Sequence, residues 1–247
     1  MRPALIAHRL GAGHGPDSSR LSLRAVLADD VDGLETDVCL TADGRVVLLH
    51  DPWLRQGTTF DGWAHETPWS ALETAALRDR SGAATNEPPM LLEELLETVP
   101  ASLALQLDVK AHGDPSLARA TADAVADVVA ARGGRDGLEV LSFHTAACEA
   151  AAARGLAARV VIWADYAPEA LLAWAHGSGV RGVCVEHFLL HQRLVDRLQD
   201  GGLAVTTGTI NDPVLAARAA ALGVDAITTD RPADIRHALA VPAAAGA

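Results

Sequence analysis

Eight short runs of β-forming residues alternate with helix-forming segments along nearly all of the 247 residues. This alternation predicts βαβ units and a parallel sheet, because parallel strands need a long crossover that is usually a helix. Eight such units in roughly 250 residues are typical of an α/β protein with a (β/α)8 TIM barrel. A doubly wound open sheet is the alternative. The predicted strands cover residues 4–8, 33–38, 103–109, 138–143, 159–164, 182–187, 203–209 and 225–230.

Local signals place the ends of several helices. Asp114-Pro115 and Asp212-Pro213 each combine an N-cap residue with proline at the first helical position. Gly201 and Gly223 lie where helices should end before the next strand. No linker divides the chain, so we expect one domain over residues 1–247.

The run VVLLHD (46–51) does not fit the βα alternation. Only CLTADGR separates it from the second predicted strand, which is too short for a parallel crossover. Asp43-Gly44 is a strong hairpin-turn dipeptide. We therefore expect an antiparallel return strand outside the barrel, and a two-residue turn at Asp43-Gly44 would place His50 opposite Asp37. After this hairpin, Trp53, Trp63 and Trp69 predict a small cap over about 52–89.

Charge and composition exclude several classes of partner. The formal net charge of −12 repels nucleic acid and anionic membrane surfaces at long range. No run approaches the ~20 apolar residues of a membrane span, and the apolar run near the N-terminus is too short for a signal peptide. Three widely spaced cysteines predict reduced thiols and a cytoplasmic protein. The segment AVPAAAGA at the end of the sequence is expected to fray.

Polar residues come together where the predicted strands end. Strand alternation turns Gln106, Asp108 and Lys110 toward the barrel interior, with Lys110 nearest the carboxyl end. Active sites of TIM barrels lie at this end of the strands. Four chain segments should therefore deliver one set of side chains to a common rim: His8, Arg9, Glu35, Asp37, His50, Asp108 and Lys110.

These residue types suit the cleavage of a phosphodiester. Glu35, Asp37 and Asp108 offer hard oxygen ligands for Mg²⁺ or Ca²⁺. Arg9 and Lys110, the only lysine in the chain, can bind a phosphate. Histidines can act as general base and general acid near neutral pH. The other histidines are interpreted as surface or loop residues, apart from the second-tier candidates His144 and His187, which follow strand ends.

At these residues the sequence resembles the glycerophosphodiester phosphodiesterase family over nearly its whole length. "AHR" (7–9) is similar to the family's His-Arg-Gly motif, and "GLETDVCLTADGRVVLLHD" (33–51) to its Glu-x-Asp hairpin ending in His-Asp. "PPMLLEELL" (88–96) resembles the family's Pro-x-Leu-x-Glu helix start, and "LQLDVK" (105–110) its acidic-x-Lys strand. "LSF" (141–143), "TGTIND" (207–212) and "GVDAITTDRP" (223–232) resemble later family motifs.

The resemblance implies hydrolysis of glycerophosphodiesters to glycerol 3-phosphate and an alcohol, often with first attack by the substrate's neighbouring hydroxyl. It implies an acid–base pair of His8 and His50, phosphate contacts from Arg9 and Lys110, and a divalent cation on Glu35, Asp37 and Asp108. The expected partner is thus a small-molecule phosphodiester. The oligomeric state is left open.

Four places depart from the family pattern. Leu10 replaces glycine, "PDSS" (16–19) replaces Pro-Glu-Asn-Thr, Asp108 replaces glutamate and Gly208 replaces tryptophan. Loss of the indole at Gly208 is expected to widen the pocket and to change the preferred diester, which makes Asp17 and Gly208 further second-tier residues. Alternatives are a lysophospholipase D-like or sphingomyelinase D-like enzyme, a non-enzymatic phosphate-binding barrel, and a lyase using Lys110 as a Schiff base.

Overall fold

A computed structural model of the protein describes residues 2–164 and 166–240. From residue 241 onward, the segment that is expected to fray lies outside the described residues. The strands are β1 (Ala4–Ala7), β2 (Gly33–Leu40), β3 (Val46–Leu48), β4 (Ala104–Val109), β5 (Leu138–Ser142), β6 (Ala157–Ile162), β7 (Gly182–Val185), β8 (Ala204–Thr207) and β9 (Ala226–Thr229). The α-helices are α1 (Arg20–Val26), α2 (Leu54–Gly57), α3 (Trp69–Leu72), α4 (Leu92–Thr98), α5 (Pro115–Ala131), α6 (Thr145–Ala153), α7 (Pro168–Ser178), α8 (Gln192–Asp200), α9 (Pro213–Ala221) and α10 (Pro232–Ala240). Each of these helices is too short or too polar to cross a lipid bilayer.

Eight of the strands close into a parallel barrel. Around the ring the order is β1, β9, β8, β7, β6, β5, β4, β2, and β2 pairs again with β1. Strand β3 pairs antiparallel with β2 and lies outside the ring. The TIM barrel and the antiparallel hairpin after its second strand are therefore confirmed.

The faces of β4 show how the sequence builds this barrel. Leu105, Leu107 and Val109 are buried in the main hydrophobic cluster, which is where an alternating strand meets the surrounding helices. Each such side chain contributes about 1.5–3 kcal/mol when it leaves water. Asp108 and Lys110 are on the other face and line a cavity inside the barrel mouth.

The predicted helix caps are confirmed by hydrogen bonds. Asp114 accepts from the backbone N–H groups of Ser116 and Leu117, and α5 follows directly. Asp212 caps α9 in the same way, by accepting from Val214 and Leu215. Each cap satisfies backbone donors that the first helical turn leaves without intrahelical partners.

The predicted register of the hairpin is wrong by one residue. Val38 pairs with Leu48, so Asp37 lies opposite Leu49 rather than His50. The loop has three residues, because Thr41 pairs with Arg45 and Gly44 adopts a left-handed φ of 78°. The Thr41 hydroxyl accepts from the Arg45 N–H at 2.9 Å and donates to Asp43, which stabilises the longer loop. His50 thus follows the strand instead of ending it.

Residues 52–89 pack as an extension of this hairpin. A second hydrophobic cluster joins Cys39, Val47 and Leu49 of the hairpin region to Leu54, Ala64, Leu72, Ala75 and Leu77. Of the three tryptophans expected to anchor the segment, Trp69 packs against this cluster. Trp53 and Trp63 meet edge to face with ring centroids 4.6 Å apart, and Trp63 also meets His112 of the loop after β4 edge to face. The segment therefore lies beside the barrel mouth.

Candidate active site

A cavity of about 210 Å³ opens at the carboxyl ends of the barrel strands. The structure brings all seven first-choice residues of the sequence analysis to its wall. The lining residues are His8, Arg9, Glu35, Asp37, His50, Asp108, Lys110, Leu141, Phe143, Val161, Cys184, Glu186, Gly208, Thr209 and Thr228.

His8 is held in place by a buried carboxylate. It follows β1, and its Nδ1 lies 2.7 Å from Oδ1 of Asp230, which follows β9, the neighbouring strand. Its Nε2 lies 3.9 Å from Oε2 of Glu35. Burial alone would lower the pKa of His8, but the hydrogen bond to Asp230 and the charge of Glu35 outweigh burial and raise it. The ring is thus fixed, with Nε2 directed toward the carboxylates.

Three buried carboxylates lie close together in the wall of the cavity. Glu35, Asp37 and Asp108 each place an oxygen within 4.8 Å of the others. Burial and the charge of Asp37 raise the pKa of Glu35 to about 8. Oδ2 of Asp37 and Oδ1 of Asp108 are buried without a hydrogen-bond partner. Buried carboxylate oxygens that accept no hydrogen bond are costly, and a hard divalent cation would coordinate them, so the residues fit such an ion.

Lys110 lies between two of these carboxylates. Its Nζ is 2.9 Å from Oδ1 of Asp37 and 2.6 Å from Oδ2 of Asp108. Burial favours the neutral amine, but the two carboxylates outweigh burial and raise the pKa of Lys110 far above its usual range. A lysine held as an ammonium ion is a poor Schiff-base nucleophile, so the geometry argues against the lyase alternative.

Arg9 is fixed from three sides. Its backbone N–H donates to Oε2 of Glu35 at 2.9 Å, and its guanidinium donates to the carboxylate of Asp17. Its Nε lies 3.4 Å from Oδ2 of Asp37. The backbone of Arg9 has a left-handed φ of 48°, and its side chain lines the cavity. A preorganised guanidinium at the mouth can pair with a phosphate bidentately.

His50 lines the same cavity and follows β3. Its Nδ1 lies 3.0 Å from Oδ1 of Asp51, and about a third of its side chain is exposed. It reaches the cavity although the predicted pairing with Asp37 is wrong. Both histidines therefore line the cavity that holds the carboxylates and the lysine, each with an aspartate against its Nδ1.

Comparison with known proteins agrees with this geometry. The family model of the glycerophosphoryl diester phosphodiesterase family matches residues 8–234. The chain belongs to that family. The predicted resemblance is thus confirmed.

Individual relatives of this phosphodiesterase family match to different extents. A glycerophosphodiester phosphodiesterase of Bacillus altitudinis is 29% identical over 43% of this chain and 44% of its own length. The protein YqiK of Bacillus subtilis is 33% identical over 37% of this chain and 38% of its own length. The chain therefore matches less than half of the length of these relatives.

Solved structures match over nearly the whole chain. An Oleispira antarctica phosphodiesterase, solved in complex with the product sn-glycerol-3-phosphate, is 25% identical with a TM-score of 0.87 and covers 97% of this chain and 98% of its own. A glycerophosphoryl diester phosphodiesterase from Silicibacter pomeroyi has a TM-score of 0.84 at 23% identity and covers 97% and 93%, which shows the shared fold.

Leu10 stands where the phosphodiesterase family has glycine, and its φ is 57°. A left-handed backbone costs a residue with a side chain about 1–2 kcal/mol. The Leu10 side chain is fully buried in the main cluster, which contributes about 1.5–3 kcal/mol. The buried side chain therefore offsets the backbone strain.

The second-tier residues have different outcomes. Asp17 touches the site, since it binds Arg9. His187 does not line the cavity of His8 and His50; it lies in the turn His187–Leu189 and lines a separate cavity with Leu215 and Arg218. The candidate His144 also lies outside the lining, just before α6.

Gly208 lines the cavity. We expected this position only to lack the wall that a tryptophan indole would provide, and that interpretation is wrong because the backbone here leaves no room for a side chain. A Cβ added at Gly208 would lie 2.6 Å from Cβ and 3.1 Å from the carbonyl oxygen of Thr228. The space that a side chain at residue 208 would need is filled by Thr228 of β9, because the backbone that follows β8 lies directly against this strand. A tryptophan at this position would displace β9 instead of restoring a family wall.

We therefore expect Gly208→Ala to lower the free energy of unfolding by about 1–3 kcal/mol through overpacking. Gly177→Ala is the matched control, because a Cβ at Gly177 in α7 meets no atom within 4 Å and alanine favours a helix. Thermal unfolding of both variants measures the difference. Equal melting temperatures for Gly208→Ala and the unaltered protein would contradict the close contact.

Sequence reasoning missed three groups that the structure adds. Asp230, in the matched motif "ITTDRP", holds His8, and its position directly after a barrel strand was the available signal. Arg80, from the segment 52–89, contacts Oδ2 of Asp230 at 2.9 Å and had no sequence signal. Phe143 lies below the ammonium of Lys110, with 5.5 Å from Nζ to the ring centroid.

Proposed function

We propose that the chain is a metal-dependent phosphodiester hydrolase that converts glycerophosphodiesters to glycerol 3-phosphate and an alcohol. The observation that carries the proposal is the convergence of three buried carboxylates, two histidines, Arg9 and Lys110 on one cavity. Membership of the phosphodiesterase family supports the same reaction class. The Oleispira antarctica neighbour with bound sn-glycerol-3-phosphate supports glycerol 3-phosphate as the product.

In this proposal Glu35, Asp37 and Asp108 hold Mg²⁺ or Ca²⁺. Asp37 and Asp108 each have a buried carboxylate oxygen without a hydrogen bond, which supports their assignment as ligands. A bound divalent cation supplies positive charge that stabilises the phosphate oxygens and acidifies an attacking hydroxyl.

Arg9 and Lys110 then orient the phosphate. Arg9 offers a planar fork and Lys110 a point charge, and both are already positioned by carboxylates. Preorganised donors stabilise charge that develops in the transition state without reorganising during the reaction.

His8 and His50 serve as the acid–base pair in this proposal. One accepts the proton of the attacking hydroxyl, and the other donates a proton to the departing alkoxide. Asp230 and Asp51 support the assignment, because a carboxylate on Nδ1 leaves Nε2 of each ring to face the substrate.

We also propose that the protein acts in the cytoplasm. Cys39, Cys148 and Cys184 are all buried and free, which is in keeping with a reducing compartment.

The test is the release of glycerol 3-phosphate and choline from sn-glycero-3-phosphocholine in the presence of Mg²⁺ or Ca²⁺. A parallel incubation with borohydride and carbonyl compounds tests the lyase alternative, and no inactivation is expected. Absence of hydrolysis of every glycerophosphodiester in a headgroup panel, with retained phosphate binding, would favour the non-enzymatic alternative.

A further inference from the structure

Glu186 is a charged residue of the active-site cavity that the proposed chemistry does not use. It follows β7 and lines the same cavity as Lys110. Around the closed ring of eight strands, β7 lies four strands from β2 in either direction. Strand β2 carries Glu35 and Asp37, so Glu186 comes from the strand on the opposite side of the barrel. A phosphodiester held beside those two carboxylates therefore has Glu186 across the cavity from its phosphate.

The local structure turns Glu186 toward the cavity and holds it there. Cys184, two residues earlier, also lines the cavity, whereas Val185 between them belongs to the main hydrophobic cluster. The backbone N–H of Glu186 donates to the carbonyl oxygen of Ile162 at 2.9 Å, and its own carbonyl oxygen accepts from the N–H of Leu189 at 2.9 Å. The carboxylate is thus attached to a backbone that is fixed on both sides.

The carboxylate of Glu186 has no cation of its own. The two permanent cations of the cavity pair with other carboxylates, Arg9 with Asp17 and Lys110 with Asp108. Glu186 is half-buried, and burial raises the pKa of its carboxyl, while the charge that opposes burial is that of the adjacent residue 187. A partly desolvated carboxylate is stabilised when a cation binds beside it.

We propose that Glu186 binds a positively charged group on the alcohol portion of the phosphodiester, so that diesters of ammonium alcohols are preferred over neutral and anionic ones. This inference rests on the proposed function and specifies its substrate class. The glycerol portion carries no charge, so the alcohol is the part of a glycerophosphodiester that can present a cation. Glu186 then selects the substrate and takes no part in the proton transfers assigned to the histidines.

The geometry separates Glu186 from the proposed metal site. Within the described ranges, the carboxylates that bring an oxygen within 4.8 Å of one another are Glu35, Asp37 and Asp108, and Glu186 is not in this cluster. The cavity thus has cationic groups that suit a phosphate on one side and a separate carboxylate on the other. A phosphodiester of an ammonium alcohol has the same two charges, one negative and one positive, at its own two ends.

The surroundings of Glu186 strengthen selection by charge. The other residues that β6 and β7 contribute to the cavity are neutral, namely Val161 and Cys184, and both are buried. Charges interact more strongly beside such low-dielectric walls than in water. The net charge of −12 also attracts cations to the whole protein, so the test must separate this general attraction from the local one.

The test uses two diesters of the same shape that differ by one charge. They are sn-glycero-3-phosphocholine and the analogue with 3,3-dimethylbutanol, in which carbon replaces the quaternary nitrogen. We expect kcat/KM to be roughly 10-fold or more higher for the choline diester. Glu186→Gln keeps the size of the side chain and removes its charge, so it should bring the ratio to about 1 through a higher KM for the choline diester.

Glu73→Gln is the matched control, because it removes one negative charge from an exposed residue that directly follows α3 and does not line the cavity. It should keep the preference for the choline diester. Glu186→Asp retains the charge and should keep a preference above 1. Circular dichroism verifies the folding of each variant, and the comparison of the two diesters in the unaltered protein tests the inference even if a variant does not fold.

Four results would overturn the inference. The first is an equal kcat/KM for the two diesters in the unaltered protein, and the second is a preference that survives in Glu186→Gln. The third is an equal loss for both diesters in Glu186→Gln, which would assign the carboxylate to the glycerol portion or to the chemical step. The fourth is an equal loss of preference in Glu73→Gln, which would assign the selection to the net charge of the protein.

Calorimetric binding of phosphocholine and 3,3-dimethylbutyl phosphate separates this inference from the proposed function. If no diester is hydrolysed but phosphocholine binds more tightly and loses that advantage in Glu186→Gln, the hydrolase assignment fails and the cation site stands. If diesters are hydrolysed and the two phosphates bind equally, only the inference about Glu186 fails.

Discussion

His8→Ala and His50→Ala are each expected to lower kcat by roughly 10²-fold or more, as loss of a general acid or base typically does. Both rings face the cavity, and both have an aspartate on Nδ1 that leaves Nε2 for the substrate. The measurement is kcat with sn-glycero-3-phosphocholine at saturating metal ion, together with circular dichroism to verify folding.

His14→Ala is the matched control for the two histidine variants. His14 also pairs with a carboxylate, Oδ2 of Asp29 at 2.8 Å from its Nε2, but it does not line the cavity. A normal kcat for His8→Ala or His50→Ala would identify that histidine as structural. A large loss in His14→Ala would show that the assay responds to folding instead of to acid–base chemistry.

Removal of divalent cations is expected to reduce hydrolysis to background, and Mg²⁺ or Ca²⁺ should restore it. The physical reason is the cluster of three buried carboxylates, in which Asp37 and Asp108 each have an oxygen without a hydrogen bond. An ion that binds only the folded state at 100 times its Kd stabilises it by about 2.7 kcal/mol. At about 2–4 °C per kcal/mol for a chain of this size, the melting temperature should rise by roughly 5–10 °C.

Asp108→Asn tests the same site without relying on activity. It removes the charge of one proposed ligand, so most of the metal-induced rise in melting temperature should disappear. Full hydrolysis after exhaustive chelation would disprove the requirement for a cation. An unchanged metal-induced shift in Asp108→Asn would remove that residue from the proposed ligand set.

The barrel could be predicted from sequence because its signals are local and repeated. Each βα unit carries its own strand pattern, and caps such as Asp114 and Asp212 mark helix starts within a few residues. The hairpin register could not be predicted in the same way. The side chain of Thr41 stabilises a three-residue loop, and this competes with the two-residue turn that Asp43-Gly44 suggests.

Site residues that lie at strand ends could be predicted from the sequence. Site features that depend on contacts between distant parts of the chain could not. Alternation along β4 places Asp108 and Lys110 inside the barrel without further information. Nothing local shows that residue 208 faces Thr228, because that contact depends on how two neighbouring strands end. The partnership of Asp230 with His8 spans 222 positions in the sequence and needs the closed ring.

The contact between Arg80 and Asp230 limits how the segment 52–89 can evolve. Arg80 and Asn211 both reach Oδ2 of Asp230, while Oδ1 of the same carboxylate holds His8. An insertion that only covered the mouth could be shortened or exchanged between relatives with a change in substrate access alone. Here its replacement would also remove one of the two polar contacts on Oδ2 of Asp230, so loop-grafted chimaeras should carry an arginine equivalent to Arg80 to keep the imidazole aligned.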